Sequence, residues 1–147
     1  MKKLYFIPVI LLLCFSIACK KEIKDTKESR MDLITSGTWK TIRVTAEPGY
    51  DYDYDGDIDT ELFPLYDECD KDMRFTFKRD GILELKGGHQ KCDTLGVRDH
   101  SVHWAFKNDE KELLIEQDEH QILELTNTIL KIQRDWDQQK LTMTYSK

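Results

Sequence analysis

The sequence predicts an all-β domain: about eight antiparallel strands closed into an up-and-down barrel, with a short helical turn before the first strand. Three observations predict it. Apolar and polar residues alternate with period two in nearly every segment after residue 38. Short polar clusters such as Arg79-Asp80-Gly81 and Thr126-Asn127 separate those segments at hairpin spacing. No segment downstream of the apolar leader sustains helical periodicity beyond a turn or two. Hairpins with one apolar face each must bury those faces together and hide their edges, and closing the sheet does both. A flattened two-sheet sandwich is the alternative.

The chain opens with Met1-Lys2-Lys3, an apolar run over residues 4–18, then Cys19 and an abrupt change to polar residues. The run is at the long end for a signal segment and short of the roughly 20 residues a membrane-spanning helix needs. Phe15-Ser16-Ile17-Ala18-Cys19 is close to a bacterial lipobox, in which a small residue precedes the cysteine that is acylated. The expected organisation is a lipoprotein signal at 1–18, a flexible tether at 19–30 after lipidated Cys19, and the barrel at 31–147. A plain secretory signal or an uncleaved anchor is the competing reading. Loss of Lys2 and Lys3 with the signal takes the formal charge from −6 to about −8. An acidic product without a basic patch is excluded as a nucleic-acid binder. It also gains nothing from anionic head groups, so its membrane partner is reached through the multi-chain anchor on Cys19. The expected address is the cell envelope, at the outer membrane.

Residues 20–30 are dense in Lys, Glu, Asp, Ser and Thr and read as a solvated tether. Met31, Leu33 and Ile34 then mark a short helix or turn that plugs something, ended by Ser36-Gly37. Residues 39–45 form the first strand. Residues 72–78 alternate Met73, Phe75 and Phe77 against Arg74, Thr76 and Lys78, and 82–86 return with Leu83 and Leu85 inward. Val102, Trp104 and Phe106 alternate against His103, Ala105 and Lys107. Strands follow at 113–116, 122–125 and 128–134, and Leu141, Met143 and Tyr145 close the series.

Cys14 leaves with the signal and Cys19 is the anchor, so Cys69 and Cys92 alone belong to the domain. In an oxidising compartment they most simply form one disulfide. The closed loop of about two dozen residues would constrain the unfolded chain by roughly 3 kcal/mol. A free thiol is the competing reading, but neither cysteine has a histidine in a recognisable partner motif.

Gly37-Thr38-Trp39 opens the first strand directly after the helical turn. Cys69-Asp70-Lys71-Asp72, Phe75-Thr76-Phe77, Asp80-Gly81, Cys92, Trp104 and Ile122-Leu123-Glu124-Leu125-Thr126 follow in order. The Gly-x-Trp is similar to the lipocalin signature, and the whole succession resembles the lipocalin-like domain lipoproteins of Gram-negative bacteria. It covers about residues 33–145. The resemblance implies an eight-stranded barrel with Trp39 packed across its closed end, and a long connection after the first strand lying over the open mouth. Cys69 would staple the far end of that connection. The Thr-Asp-Tyr motif of typical lipocalins is missing. No arginine lies in the last strand to stack over Trp39; Arg134 in the preceding strand is the available substitute.

The strongest local chemical signal is the run Asp51-Tyr52-Asp53-Tyr54-Asp55-Gly56-Asp57-Ile58-Asp59. It matches the first half of an EF-hand loop, with carboxylates at alternate positions and Gly at the turn. Calcium is therefore the one candidate cofactor, with Asp51, Asp53, Asp55, Asp57 and Asp59 as ligands. The second half fails, since Leu62 stands where a bidentate Glu is required, and Pro48-Gly49 excludes an entering helix. A solvated acidic insertion is the bland alternative. Four histidines do not make a zinc set: His100 and His103 fall on opposite faces of a strand, His89 lies in a loop, and His120 starts a strand. No nucleophile elbow, phosphate loop or catalytic carboxylate pair stands out, so no enzyme is expected. The leading function is non-catalytic binding of a small apolar ligand, or of a partner the sequence does not name, at the barrel mouth. Trp39, Phe75, Phe77 and Leu83 are expected to line or cap the interior, with Leu85, Trp104, Phe106 and Tyr145. If these aromatics fill the barrel, the alternative is an interaction or calcium-binding module using residues 51–59.

Overall fold

A computed structural model describes residues 28–88 and 99–147. The helical turn α1 (Arg30–Thr35) leads into β1 (Trp39–Tyr50) and a short β2 (Asp59–Glu61). A 3-10 turn (Phe63–Leu65) and α2 (Glu68–Lys71) precede β3 (Arg74–Phe77) and β4 (Ile82–Lys86). Then come β5 (His100–Lys107), β6 (Glu112–Ile115), β7 (Asp118–Leu125), β8 (Ile129–Trp136) and β9 (Gln139–Ser146). Consecutive strands from β3 to β9 pair antiparallel, and β1 pairs with both β3 and β9. Eight strands thus close the barrel, and β2 is a ninth that extends one edge of β1.

The closed end is built around α1. Ser29 caps it: its hydroxyl accepts from the Asp32 amide at 3.1 Å, and the Asp32 carboxylate reaches back to the Ser29 amide. The turn drives Ile34 into the barrel, and Trp39 lies beside it; neither is exposed. The Trp39 indole would lose its water partner there, and instead Nε1 donates to the Ile34 carbonyl at 2.8 Å. Lys147 Nζ stands 4.3 Å from the Trp39 ring and donates to the Leu33 carbonyl at 2.8 Å. The cation over Trp39 is therefore Lys147, just beyond β9, and not Arg134, which lies at the opposite end of the barrel. Phe77, Trp104 and Phe106 follow as an edge-to-face ladder with centroids 5.1 and 5.4 Å apart.

Two bulges rephase the alternation. β1 slips against β9 between Thr41 and Arg43, so its inward file changes from Trp39 and Thr41 to Val44 and Ala46. β7 slips against β8 between Ile122 and Glu124, moving the inward set from His120 and Ile122 to Leu125. The residues extruded, Ile42 and Leu123, are 46% and 44% exposed, which accounts for two large apolar side chains on the outside.

β1 runs further than the expected 39–45, through Pro48-Gly49 to Tyr50. Pro48 falls inside the irregular stretch between the two β1–β2 register points, where a missing N–H is tolerated. Gly49 is required by close approach: a Cβ there would meet the Asp59 carbonyl oxygen at 2.5 Å. The acidic run is thus the tip of a β1–β2 hairpin. β7 and β8 also begin and end nearer their turns than the alternation suggested, with turns at 116–117 and 137–138.

Candidate functional site

Leu62, 1% exposed, packs with Val44, Ala46 and Leu141 at the mouth end. Tyr52 stacks on Tyr66 with centroids 5.8 Å apart, and Tyr50 meets Trp136 at 5.8 Å. The connection from β2 to α2 therefore caps one side of the mouth. Cys69 is buried on α2, and its expected partner Cys92 lies outside the described residues. Cys19, the signal and residues 20–27 of the tether lie outside them as well.

Beneath the mouth is a cavity of about 350 Å³. Phe75, Phe77, Leu83, Leu85, Val102 and Ile132 form its apolar wall. Ile115, Met143 and Tyr145 add to that wall, with Phe75 against Tyr145 at 5.3 Å. Of the eight interior residues expected from sequence, Phe75, Phe77, Leu83, Leu85 and Tyr145 meet here. Trp39, Trp104 and Phe106 do not: they belong to the closed end, where Trp104 Nε1 donates to the Lys78 carbonyl at 3.0 Å. Trp104 and Phe106 instead border a separate, open hollow with Met31 of α1. The large aromatics fill one half of the barrel and leave the other half hollow.

The polar rim is what the sequence reading missed. His100, Glu116, Asp118, His120 and Arg134 all line the cavity. Alternation would have found three of them, since His100 continues the file Val102–Trp104–Phe106, His120 precedes Ile122, and Arg134 follows Leu130 and Ile132. Because neighbouring strands run in opposite directions, those file ends all come to the mouth. Arg134 Nη1 pairs with the Asp118 carboxylate. His120 is 5% exposed, with Nδ1 3.1 Å from the Asp118 carbonyl oxygen. Burial lowers its pKa from the ordinary 6.5; the Asp118 carbonyl opposes that shift and the Arg134 charge adds to it. The Tyr145 phenol is pushed up by burial, with the Arg134 charge pulling the other way.

In the acidic hairpin tip, one carboxylate oxygen each from Asp51, Asp53 and Asp59 lies within 4.8 Å of the others. Asp55 and Asp57 are outside that group; Asp55 Oδ1 accepts from the Asp57 amide at 2.8 Å. Asp51 Oδ2 accepts from the Gly56 amide at 3.2 Å, which Gly56 permits through its φ of 99°. Asp51 Oδ1 is buried and has no hydrogen-bond partner among the described residues.

A closed antiparallel barrel, plugged at one end by a helical turn and hollow at the other, defines a β-barrel of the lipocalin type. The chain matches the family model of the lipocalin-like domain over residues 35–132, more than half its length, and belongs to that family. No curated protein and no solved structure matches it.

His120 sets a pH dependence. Its folded pKa lies below the unfolded value, so the unfolded chain binds more protons as pH falls below 6.5. Its contribution to stability is thus fully present above that value and is lost as pH drops through the lowered folded pKa. Urea midpoints between pH 8 and 5 should show a decline that His120→Gln reduces; an identical profile in the variant would rule His120 out as the cause.

Proposed function

We propose that this is a lipid-anchored envelope protein, acylated on Cys19, whose barrel binds a small and largely apolar molecule without catalysis. The cavity carries the reading. About 350 Å³ behind an apolar wall falls at the lower end of the range for small-molecule pockets. Membership of the lipocalin-like family supports a binding role for such a barrel. A neutral environment-sensitive dye should brighten on entering the cavity and be displaced by octan-1-ol. Leu85→Trp, which fills the cavity from its wall, should weaken dye binding by about tenfold or more. Dye fluorescence unaffected by both protein and variant would reject the reading.

The anchor rests on Ala18-Cys19 after an apolar run, and the Cys69–Cys92 disulfide on the two cysteines left to the domain. Gly88 supports the second: a Cβ there would collide with the Asp72 carboxylate, so Gly88, four residues before Cys92 in sequence, lies against the end of α2, the helix that carries Cys69. Cys19→Ser should lose labelling by a palmitate analogue, and non-reducing peptide maps should recover the linked pair. Retained labelling, or two free thiols, would count against each in turn.

A second reading concerns the hairpin tip, favoured by the converging Asp51, Asp53 and Asp59 and by the unpartnered Asp51 Oδ1. Three carboxylates can hold calcium in the roughly 10⁻⁴–10⁻³ M range of extracellular modules. At ten times Kd the folded state gains about 1.4 kcal/mol, a rise of a few degrees in Tm. Asp51→Asn with Asp53→Ala should abolish that rise. A melting curve indifferent to calcium and chelator would leave the tip as a solvated turn.

A further inference from the structure

The cavity has an apolar body, but its mouth holds hydrogen-bond donors that the fold itself does not use. Arg134 follows Leu130 and Ile132 on the inward file of β8, so its guanidinium stands at the rim of an apolar wall. One nitrogen, Nη1, is committed to Asp118. Its Nε is buried from solvent and has no partner among the described residues. Buried donors of a charged group are rarely left so, because the lost hydration is not replaced. Tyr145 stands in the same cavity, and among the described residues its hydroxyl meets the Met143 sulfur at 3.5 Å, a poor acceptor. The Arg134 charge is close enough to Tyr145 to oppose the effect of burial on its phenol.

We propose that the cavity selects a short amphiphile with a single carboxylate, the head group bound by the Arg134 guanidinium and the Tyr145 hydroxyl and the hydrocarbon body lying against Phe75, Leu85 and Val102. The inference rests on the small-ligand reading above and names the chemistry of that ligand. A carboxylate has two oxygens for two donors, and a guanidinium edge matches its plane. His120 lines the same region, its Nδ1 already held by the Asp118 carbonyl. Glu116 and Asp118 are exposed on the rim and disfavour a second negative charge on the ligand. The volume equals roughly a dozen water volumes, which accommodates a chain of about eight carbons.

Isothermal titration at pH 8 of the purified protein with octanoate, octan-1-ol and octylamine separates the possibilities. Octanoate should bind about ten- to a hundredfold more tightly than the alcohol, with the amine weakest. Arg134→Gln should bring octanoate close to the level of the alcohol and weaken the alcohol far less. Tyr145→Phe, a milder change, should weaken octanoate several-fold. Asp118→Asn frees Arg134 from its competitor and should tighten octanoate binding, an effect that a purely structural ion pair would not produce. Equal affinity for acid and alcohol overturns the carboxylate proposal and leaves the cavity reading standing, as does an equal loss of both ligands in a folded Arg134→Gln. Binding of none of the three overturns both.

Discussion

Everything in this domain depends on the pairing of its first strand with its last. Residues 40–47 of β1 run antiparallel to residues 140–146 of β9, and without that ladder the sheet would have two open edges and an unburied face. The pairing holds Trp39, Val44 and Ala46 on the same inward surface as Leu141, Met143 and Tyr145. It also brings Lys147 back to α1, where its ammonium covers Trp39 and tethers the Leu33 carbonyl. Closure of the sheet and closure of the barrel end are therefore one event, built from contacts 93 to 114 residues apart in sequence.

Closure leaves an interior that the side chains divide unequally. Ile34, Trp39, Phe77, Trp104, Leu113 and Leu130 pack the plugged half to completion. In the other half the inward files end in His100, His120 and Arg134, which cannot be packed as hydrocarbon, and the volume beneath them stays open. The acidic hairpin stands beside it, linked through the stacked Tyr52 and Tyr66, so the two candidate sites share one end of the barrel.

Much of this was legible in the residues. Met73, Phe75 and Phe77, then Leu83 and Leu85, then Val102, Trp104 and Phe106 each state which face is buried, because strand side chains alternate. Met31, Leu33 and Ile34 mark the helical turn α1, and Ser36-Gly37 its end. What escaped was short or rephased. β2 is three residues of Asp-Thr-Glu with no apolar signal, held by the backbone of β1. The slips at Ile42 and Leu123 break a periodicity that sequence reading assumes continuous. Arg134 was assigned to the wrong end because its distance from Trp39 along the barrel axis has no linear counterpart.

Composition and period by themselves determined an all-β domain, its inward files, the aromatic interior and the acidic run 51–59 as the one candidate metal loop. Those properties are local, set by the alternation of side chains and by the conformations that Gly and Asp allow. Only the tertiary structure decided which aromatics plug the barrel and which border a cavity, which cation covers Trp39, and that three of the five aspartates converge. It alone placed Arg134, Tyr145 and His120 around one opening. Each of these depends on register and closure between distant strands, and register is a property of pairs of segments that no single segment carries.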